Sequence, residues 1–171
     1  MQEASTIIKF LALEKHPEGG YFKEIYRSET KATFNGFNGE RNIATGIYYL
    51  LEENDFSAMH RIKSDETWHF YDGDSLELIE IDSYGELTLT LIGNDIANGD
   101  LPQYTVKAGN WFCSRSRGQF SFVGCTVYPG FDFKDFELGE RDKLITQFPD
   151  YQDVITLFTR HKNDWQSGYR F

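Results

Sequence analysis

The chain has 171 residues and a formal net charge of −10, with 27 acidic against 17 basic side chains. Proteins that bind a phosphate backbone cluster Lys and Arg, so this balance argues against a nucleic-acid partner. Aromatic residues make up 16% of the chain. Because aromatic side chains favour pleated, half-buried surfaces, the composition favours a β-rich fold that offers flat apolar walls for a pocket.

The N-terminal sequence lacks both the basic segment and the long apolar core of a secretion signal. No run in the chain approaches the roughly 20 apolar residues that cross a bilayer. We therefore expect a cytoplasmic protein with no membrane partner. Cys113 and Cys125 lie in apolar surroundings, which favours buried free thiols over a disulfide.

The first predicted element is a short amphipathic helix over about residues 5 to 14, which the Pro and Gly residues of HPEGG end. Short runs with alternating apolar residues follow, separated by turn sequences such as FNGFNGE and YDGD. The predicted strands are 21–28, 42–52, 56–63, 67–71, 75–82, 86–92, 103–107, 110–114 and 120–128.

The connections between these strands are too short for crossover helices, so we expect an antiparallel sandwich or barrel. Helical patterns return over residues 139–160, and residues 161–171 have the composition of a polar tail that contains His161. We find no internal repeat or linker. The chain is therefore predicted to be a single domain over residues 1–171, with its barrel over about residues 20–138.

The stretch HRIKSDETWHFYDG, residues 60 to 73, holds two of the four histidines. Glu66 and His69 have the spacing of helical di-iron sites, but this run is aromatic and β-prone, and a strand points positions i and i+3 to opposite faces. The helical zinc pattern His-Glu-x-x-His is absent. If the chain turns at KSD, His60 and Glu66 converge inside a barrel, while His69 lies on the other face.

The run HRIKSDE, followed after six residues by Gly73, resembles the first motif of the cupins, and GDLPQYTVKAGNWF resembles the second. More specifically, the sequences HPEGGYFKEIYRS, IYYLLEENDFSAMHRIKSDETWHFYDGD, AGNWF and VGCTVYPGFDFKDFELG together resemble a bacterial and fungal cupin family of unassigned function, cupin-5 or DUF985. The resemblance spans residues 5 to about 149. It implies a jelly-roll β-barrel with a short N-terminal helix and C-terminal helices, assembled as a homodimer.

Metal-binding cupins supply two His and one Glu from the first motif and a further His from the second. In this chain Ile62 and Phe112 stand at two of the His positions, and the Pro of the second motif is also replaced. His60 and Glu66 alone would give two protein ligands, whereas catalytic zinc sites typically use three. We therefore expect no bound metal. The alternative is a divalent ion that also recruits His69 through a β-bulge.

Without a metal, the barrel interior would hold His60 as a general base and Glu66 as its carboxylate partner. By analogy with metal-free cupins, this pair favours a metal-independent isomerase or epimerase for a sugar-like or polar metabolite. The alternatives are a ligand-binding or sensing cupin without chemistry and a metal-dependent cupin enzyme. The predicted ligand-binding wall is aromatic and consists of Tyr48, Trp68, Phe70 and Phe112.

The sequence HPEGG, residues 16 to 20, has two interpretations. Pro and Gly end helices and form turns, so the segment could serve only as a turn. Alternatively, His16 and Glu18 lie on a Gly-hinged lid at the barrel mouth and contact the ligand. Further along, PGFDFKDFELG alternates Phe with acidic residues, which predicts packing on the barrel or on a dimer partner, with a pocket wall as the second interpretation.

Overall fold

The structure, a computed structural model, describes residues 3–160. The expected polar tail at 161–171, with His161, lies outside the described residues. The strands are β1 Glu14–Lys15, β2 Tyr21–Arg27, β3 Lys31–Thr33, β4 Glu40–Asn42, β5 Thr45–Glu52, β6 Phe56–Ile62, β7 Asp65–Gly73, β8 Leu76–Ile81, β9 Leu87–Ile92, β10 Gln103–Val106, β11 Trp111–Ser116, β12 Phe120–Tyr128 and β13 Phe136–Leu138. The helices are α1 Ala4–Leu11, α2 Arg141–Gln147 and α3 Gln152–Leu157.

The strands form two antiparallel sheets and one separate hairpin. The six-stranded sheet has the order β1-β2-β5-β12-β7-β10, and the five-stranded sheet has the order β13-β6-β11-β8-β9. Strands β3 and β4 pair only with each other. The sheets are not closed into a continuous hydrogen-bonded barrel. The mainly β class, the N-terminal helix and the C-terminal helices confirm the predicted fold.

The main core lies between the two sheets. Leu51 and Val123 of the six-stranded sheet belong to one buried cluster with Leu76, Leu78 and Ile92 of the five-stranded sheet, and all five are fully buried. Removing their apolar area from water is the main driving force for the contact between the sheets. The side chains of this cluster fill the space between the two sheets at one end of the sandwich.

The helices cover the outer faces of the sheets. Leu144 of α2 and Ile155 of α3 pack with Met59 and Cys113 on the outside of the five-stranded sheet. On the opposite side of the molecule, Ile7 of α1 packs with other apolar side chains on the outside of the six-stranded sheet. The apolar stripe of each short helix is therefore buried, as amphipathic helices require.

The predicted strands all form, with boundaries that differ by a few residues. Helix α1 ends at Leu11 because Ala12 adopts a left-handed conformation, with φ of 52°. Cys113 and Cys125 are both buried and free. Four short strands, β1, β3, β4 and β13, were not predicted. Among residues 3–160, no helix has the length and apolar character that crossing a bilayer requires.

Candidate active site

A cavity of about 350 Å³ lies between the two sheets, at the end that core side chains do not fill. Aromatic rings form much of its wall, among them Phe22 of β2 and three rings of the segment that follows β12: Phe131, Phe133 and Phe136. Buried ionisable side chains also line it, among them His16, Glu18, His60 and Glu66, and the more exposed Glu24, Arg27 and Asp132 complete its charged part. Of the two interpretations of PGFDFKDFELG, the arrangement favours the second, since the Phe side chains of this segment form a wall of the cavity.

Glu18 and His60 are both buried and lie against each other at this cavity. The Nε2 atom of His60, on β6, lies 3.2 Å from Oε2 of Glu18, in the loop between β1 and β2. The other Glu18 oxygen, Oε1, accepts a hydrogen bond of 2.9 Å from the Ser57 hydroxyl. The carboxylate partner expected for His60 was Glu66. The structure instead pairs His60 with Glu18, because the backbone N–H of Ala58 donates to the Glu18 carbonyl and holds that loop against β6.

The His60 ring is held from both sides. Its Nδ1 is 2.7 Å from the carbonyl oxygen of Ala58, which can only accept, so Nδ1 carries a proton. Its Nε2 atom faces the Glu18 carboxylate at 3.2 Å. The Ala58 carbonyl and the Glu18 carboxylate together fix the orientation of the ring.

The charge of Glu18 follows from competing effects. Burial raises its pKa, but the neighbouring His60 and His16 rings and the Ser57 hydroxyl lower it, and the net result is a pKa below the ordinary value. Glu18 is thus the ionised member of the pair. The His60 ring also packs against the Phe112 ring, with 4.1 Å between centroids, which fixes its plane.

His16 is a neutral hydrogen-bond donor at the same cavity. Burial lowers its pKa, and this effect outweighs the opposing influence of Glu18. The backbone N–H of Glu18 donates to Nδ1 of His16 over 3.3 Å, so the neutral ring carries its proton on Nε2. Within residues 3–160 this Nε2–H has no hydrogen-bond partner. The ring is held edge-on against Phe22, at 4.5 Å between centroids.

Glu66 is a buried carboxyl group with an incomplete set of partners. It lies on β7 and is only 8% exposed. Burial raises its pKa to about 8, the nearby charge of Glu18 adds to this rise, and the Cys125 thiol, its one side-chain partner among the described residues, lowers it. Glu66 is therefore protonated at neutral pH and has an O–H group available at the cavity.

The residues expected to form an aromatic wall lie elsewhere. Trp68 and Phe112 are buried in the core cluster, and Phe70 packs against that cluster. Tyr48 lies on the outer face of the six-stranded sheet, where it contacts Tyr71. None of the four lines the cavity. Phe112 acts on the site only indirectly, through its contact with the His60 ring.

Sequence reasoning also missed two residues of the site. Tyr49 lines the cavity in place of its neighbour Tyr48, and its hydroxyl donates to the Gly19 carbonyl over 2.8 Å. Ser57 donates to Glu18. The strand TGIYYLLE is apolar at most positions, so its sequence does not indicate which of the two tyrosines faces inward.

The loop that carries His16 and Glu18 is a fixed wall. Its Gly20 N–H donates to the Asp55 carboxylate over 2.9 Å, and its turn is closed by backbone hydrogen bonds between His16 and the two glycines. Gly19 has φ of +119°, and a Cβ there would collide with the Phe56 carbonyl oxygen. The glycines thus permit a tight turn and close packing. Because these hydrogen bonds tie the loop to the sheet, its structure is that of a fixed turn and not of a hinged lid.

The cavity does not fit a metal ion of the kind that metal-binding cupins hold. Across residues 3–160, no three or more His, Cys, Asp or Glu side chains are arranged to bind one. Ile62 lines the cavity and Phe112 packs on His60, so neither of these positions offers a donor atom. His69 hydrogen-bonds to Thr126 through Nε2 at 3.2 Å and does not line the cavity. A β-bulge does interrupt the pairing of β7 with β12, but it does not bring His69 to Glu66.

The chain is similar to one protein by sequence and to two others by structure. It is 31% identical over 137 residues to an uncharacterised protein of Saccharomyces cerevisiae, covering 72% of this chain and 68% of the relative. A hypothetical protein from Leishmania major superposes with a TM-score of 0.89 at 35% identity, over 94% of this chain and 100% of the other. A protein from Shewanella oneidensis superposes with a TM-score of 0.87 at 41% identity, over 95% and 100% of the two chains.

A more distant structure shares only the fold. The oxalate decarboxylase of Bacillus subtilis has a TM-score of 0.55 at 12% identity, and the match covers 84% of this chain and 36% of the decarboxylase. Residues 5–139 match the family described as Cupin superfamily (DUF985). That match spans most of the chain and includes His16, Glu18, His60 and Glu66. The chain therefore belongs to the DUF985 family of the cupin superfamily.

Proposed function

We propose that this protein is a metal-independent isomerase or epimerase that moves a proton on a small carbonyl-bearing metabolite. The observation that supports it most directly is the presence of two carboxyl groups in opposite protonation states at one cavity. Glu18 is ionised and coupled to His60, whereas Glu66 keeps its proton at neutral pH. Pairs of titratable groups with separated pKa values are typical of acid–base catalysis.

The proposed reaction assigns one role to each group. The pair of Glu18 and His60 accepts a proton from the carbon next to the substrate carbonyl, and the negative charge moves onto the carbonyl oxygen. Glu66 donates its proton to that oxygen, which avoids a free enolate in an apolar cavity. Return of a proton to carbon, and of the hydroxyl proton to Glu66, regenerates the enzyme. The apolar rings exclude water from the intermediate.

Exchange of substrate hydrogen with solvent tests this proposal. Purified protein is incubated in D₂O with a panel of uncharged carbonyl metabolites, including ketoses and aldoses, and NMR detects deuterium at the carbon next to the carbonyl. We expect exchange with the wild-type protein and at least a hundredfold slower exchange with His60→Gln or Glu18→Gln. The proposal is wrong if a compound with such a hydrogen binds in the cavity without exchange, or if His60→Gln exchanges as fast as wild type.

A ligand-binding cupin without chemistry is the second candidate. It is favoured by the hydrogen bonding of His60, because both ring nitrogens are already engaged, with Ala58 and with Glu18. A purely structural or binding role predicts that every polar group at the cavity has its hydrogen-bond partners. Glu66 does not fit this expectation, because its side-chain partner among the described residues is only the Cys125 thiol. The metal-dependent alternative is tested by elemental analysis of untagged protein purified without chelator. A stoichiometric transition metal in that sample would contradict the metal-independent proposal.

We also propose that the protein acts in the cytoplasm as a homodimer. Two buried free thiols suit a reducing compartment. The outer face of the six-stranded sheet carries half-exposed aromatic side chains, including Tyr71 at 48% and Tyr128 at 42% exposure, which a second copy could cover. The negative net charge supports the expectation of no nucleic-acid partner.

A further inference from the structure

We infer that the cavity binds an uncharged ligand with an apolar body and a hydrogen-bond-accepting oxygen, and that it rejects carboxylates. This inference deepens the proposed function and rests on its site. It starts from the cationic side chains around the cavity. Arg27 is the one Arg or Lys in the described wall, and its guanidinium is already bound by both oxygens of Glu24, by the Asn42 side chain and by the Phe131 carbonyl.

Within residues 3–160 the cavity wall offers no unpaired Lys or Arg. His60 faces Glu18, and the two Glu18 oxygens are occupied by His60 and Ser57. A carboxylate ligand would therefore lose its hydration without gaining a counter-ion, and it would lie near the negative charge of Glu18. An ammonium ligand meets a related obstacle, because the carboxylates at the wall already have partners: Glu18 contacts His60, Glu24 pairs with Arg27, and Asp132 pairs with Lys134. Glu66 would have to lose its proton beside Glu18 to bind an ammonium group.

The available donors are themselves uncharged. Within residues 3–160, Nε2–H of His16 has no partner, and Glu66 has only the Cys125 thiol. The His16 side chain is 7% exposed and Glu66 is 8% exposed, and both line the cavity. A carbonyl or ether oxygen satisfies an N–H or a carboxylic O–H without any transfer of charge. Two such donors in one cavity therefore fit a neutral oxygen acceptor.

The rest of the wall favours an apolar ligand body. The Phe131 and Phe133 rings meet edge-to-face at 5.0 Å between centroids, and Phe136 lies 6.1 Å from each of them. Ile47 and Val127 add aliphatic surface. Burial of an aromatic or aliphatic ligand against this wall supplies the binding free energy, and the two donors set its orientation.

Three isosteric probes test the inference: benzamide is neutral, benzoate is anionic and benzamidine is cationic. Dissociation constants at pH 7 are measured by NMR titration of the protein. We expect benzamide to bind at least tenfold more tightly than either charged probe. Ile47→Trp and Ile62→Phe each fill the cavity and should abolish benzamide binding, and melting curves verify that the variants fold. Leu89→Trp, at a half-exposed position of β9, is the matched control and should bind as wild type does.

Variants of the two donors identify their role. His16→Phe keeps an aromatic ring without the N–H, and it should weaken benzamide binding about threefold to tenfold. Glu66→Gln keeps an uncharged donor and should change affinity by no more than about twofold. The inference is overturned if benzoate or benzamidine binds the cavity as tightly as benzamide, if none of the three binds, or if binding survives both cavity-filling variants. Because these measurements report affinity and not turnover, they are independent of whether hydrogen exchange is catalysed.

Discussion

At the level of single residues, the site contains two buried glutamates in unlike surroundings. Glu18 lies between two His rings and a Ser hydroxyl, so its charge is stabilised, whereas Glu66 has a thiol and apolar neighbours. The same side chain thus serves as a base in one position and as a neutral acid in the other. Each glutamate also makes the free energy of unfolding depend on pH. The two act in different pH ranges, and as pH rises one increases stability and the other decreases it.

Glu66 should destabilise the folded protein as pH rises. Its pKa is 4.5 ordinarily and about 8 in the folded protein, so between these values only the folded state holds the proton. The stabilisation it gives is complete below about pH 4.5 and is lost as pH rises through 8, on the order of 5 kcal/mol in all. Urea denaturation at pH 5 and pH 8.5 measures this change.

The variant Glu66→Gln should remove this pH dependence, because an amide does not titrate. We expect it to be about as stable as wild type at pH 5 and more stable at pH 8.5. Glu29→Gln, at an exposed position, is the matched control and should leave the wild-type profile unchanged. Equal losses of stability in wild type and Glu66→Gln between the two pH values would contradict the assignment of a protonated Glu66.

Glu18 should contribute in the opposite sense. Its pKa is lowered in the folded state, so the stabilisation is present above its ordinary pKa of 4.5 and is lost as pH falls through the folded value. Breaking its buried pair with His60 by Glu18→Gln should cost about 3 kcal/mol at pH 7. We expect a smaller cost at pH 4, again measured by urea denaturation.

A double-mutant cycle with His60→Gln isolates the pair. If the 3.2 Å contact between the two side chains stabilises the fold, the double variant should be about 1–3 kcal/mol more stable than the sum of the two single-variant losses implies. Additive effects would show that Glu18 and His60 act independently in the folded protein. That result would also remove the structural basis of the proposed proton acceptor.

At the level of elements, the segment between β12 and β13 forms one wall of the cavity. This segment, residues 129–135, carries Phe131 and Phe133 and is fixed by a buried ion pair: Asp135 accepts from the Arg41 guanidinium at 2.7 and 3.1 Å. Because Arg41 lies on β4, the small β3-β4 hairpin holds the segment in place. The β3-β4 hairpin therefore stabilises one wall of the cavity, although it contains only two short strands.

Releasing this ion pair should loosen the cavity wall before the rest of the fold. We expect Asp135→Asn to raise amide hydrogen exchange at least about tenfold in residues 129–138, as measured by mass spectrometry, with little change in β7. The exposed change Asp153→Asn in α3 serves as the control. Uniform acceleration across all strands would mean that the pair stabilises the whole molecule and does not act locally.

The C-terminal helix α3 and the residue after it complete the outer layer of the five-stranded sheet. Phe158 is fully buried, packs edge-on against Phe56, and its carbonyl accepts from the Met59 N–H over 2.7 Å. Phe158→Ala should therefore cost about 3–4 kcal/mol in the free energy of unfolding. Leu157→Ala, one residue earlier and 54% exposed, should cost less than about 0.5 kcal/mol. Similar costs for both would contradict the packing described here.

At the level of the whole molecule, the proposed dimer can be measured directly. Light scattering coupled to size exclusion should give about twice the chain mass of 19.9 kDa. If the outer face of the six-stranded sheet is the contact, Tyr71→Glu should shift the mass to that of one chain, because a buried unpaired charge is costly. Tyr84→Glu, at a position 90% exposed in the turn between β8 and β9, should leave the mass unchanged. A wild-type mass of one chain would refute the dimer.

The strands and turns of this protein were predictable because the signals that specify them are local. Alternating apolar residues marked β8 and β9, and Gly- and Asn-rich sequences marked the turns between strands. The four strands that were not predicted contain two or three residues each, too few to show any alternation. Their pairing depends on neighbours that are distant in the sequence.

By itself, the sequence determined the fold class, the family resemblance and the position of His60, Glu66, His16 and Glu18 in motifs. The tertiary structure decided which of these residues interact. It paired His60 with Glu18, because a backbone hydrogen bond from Ala58 holds the loop of Glu18 against β6. It also turned Tyr49 inward and Tyr48 outward, since sheet register assigns the face of each side chain and an apolar strand does not reveal that register in its sequence.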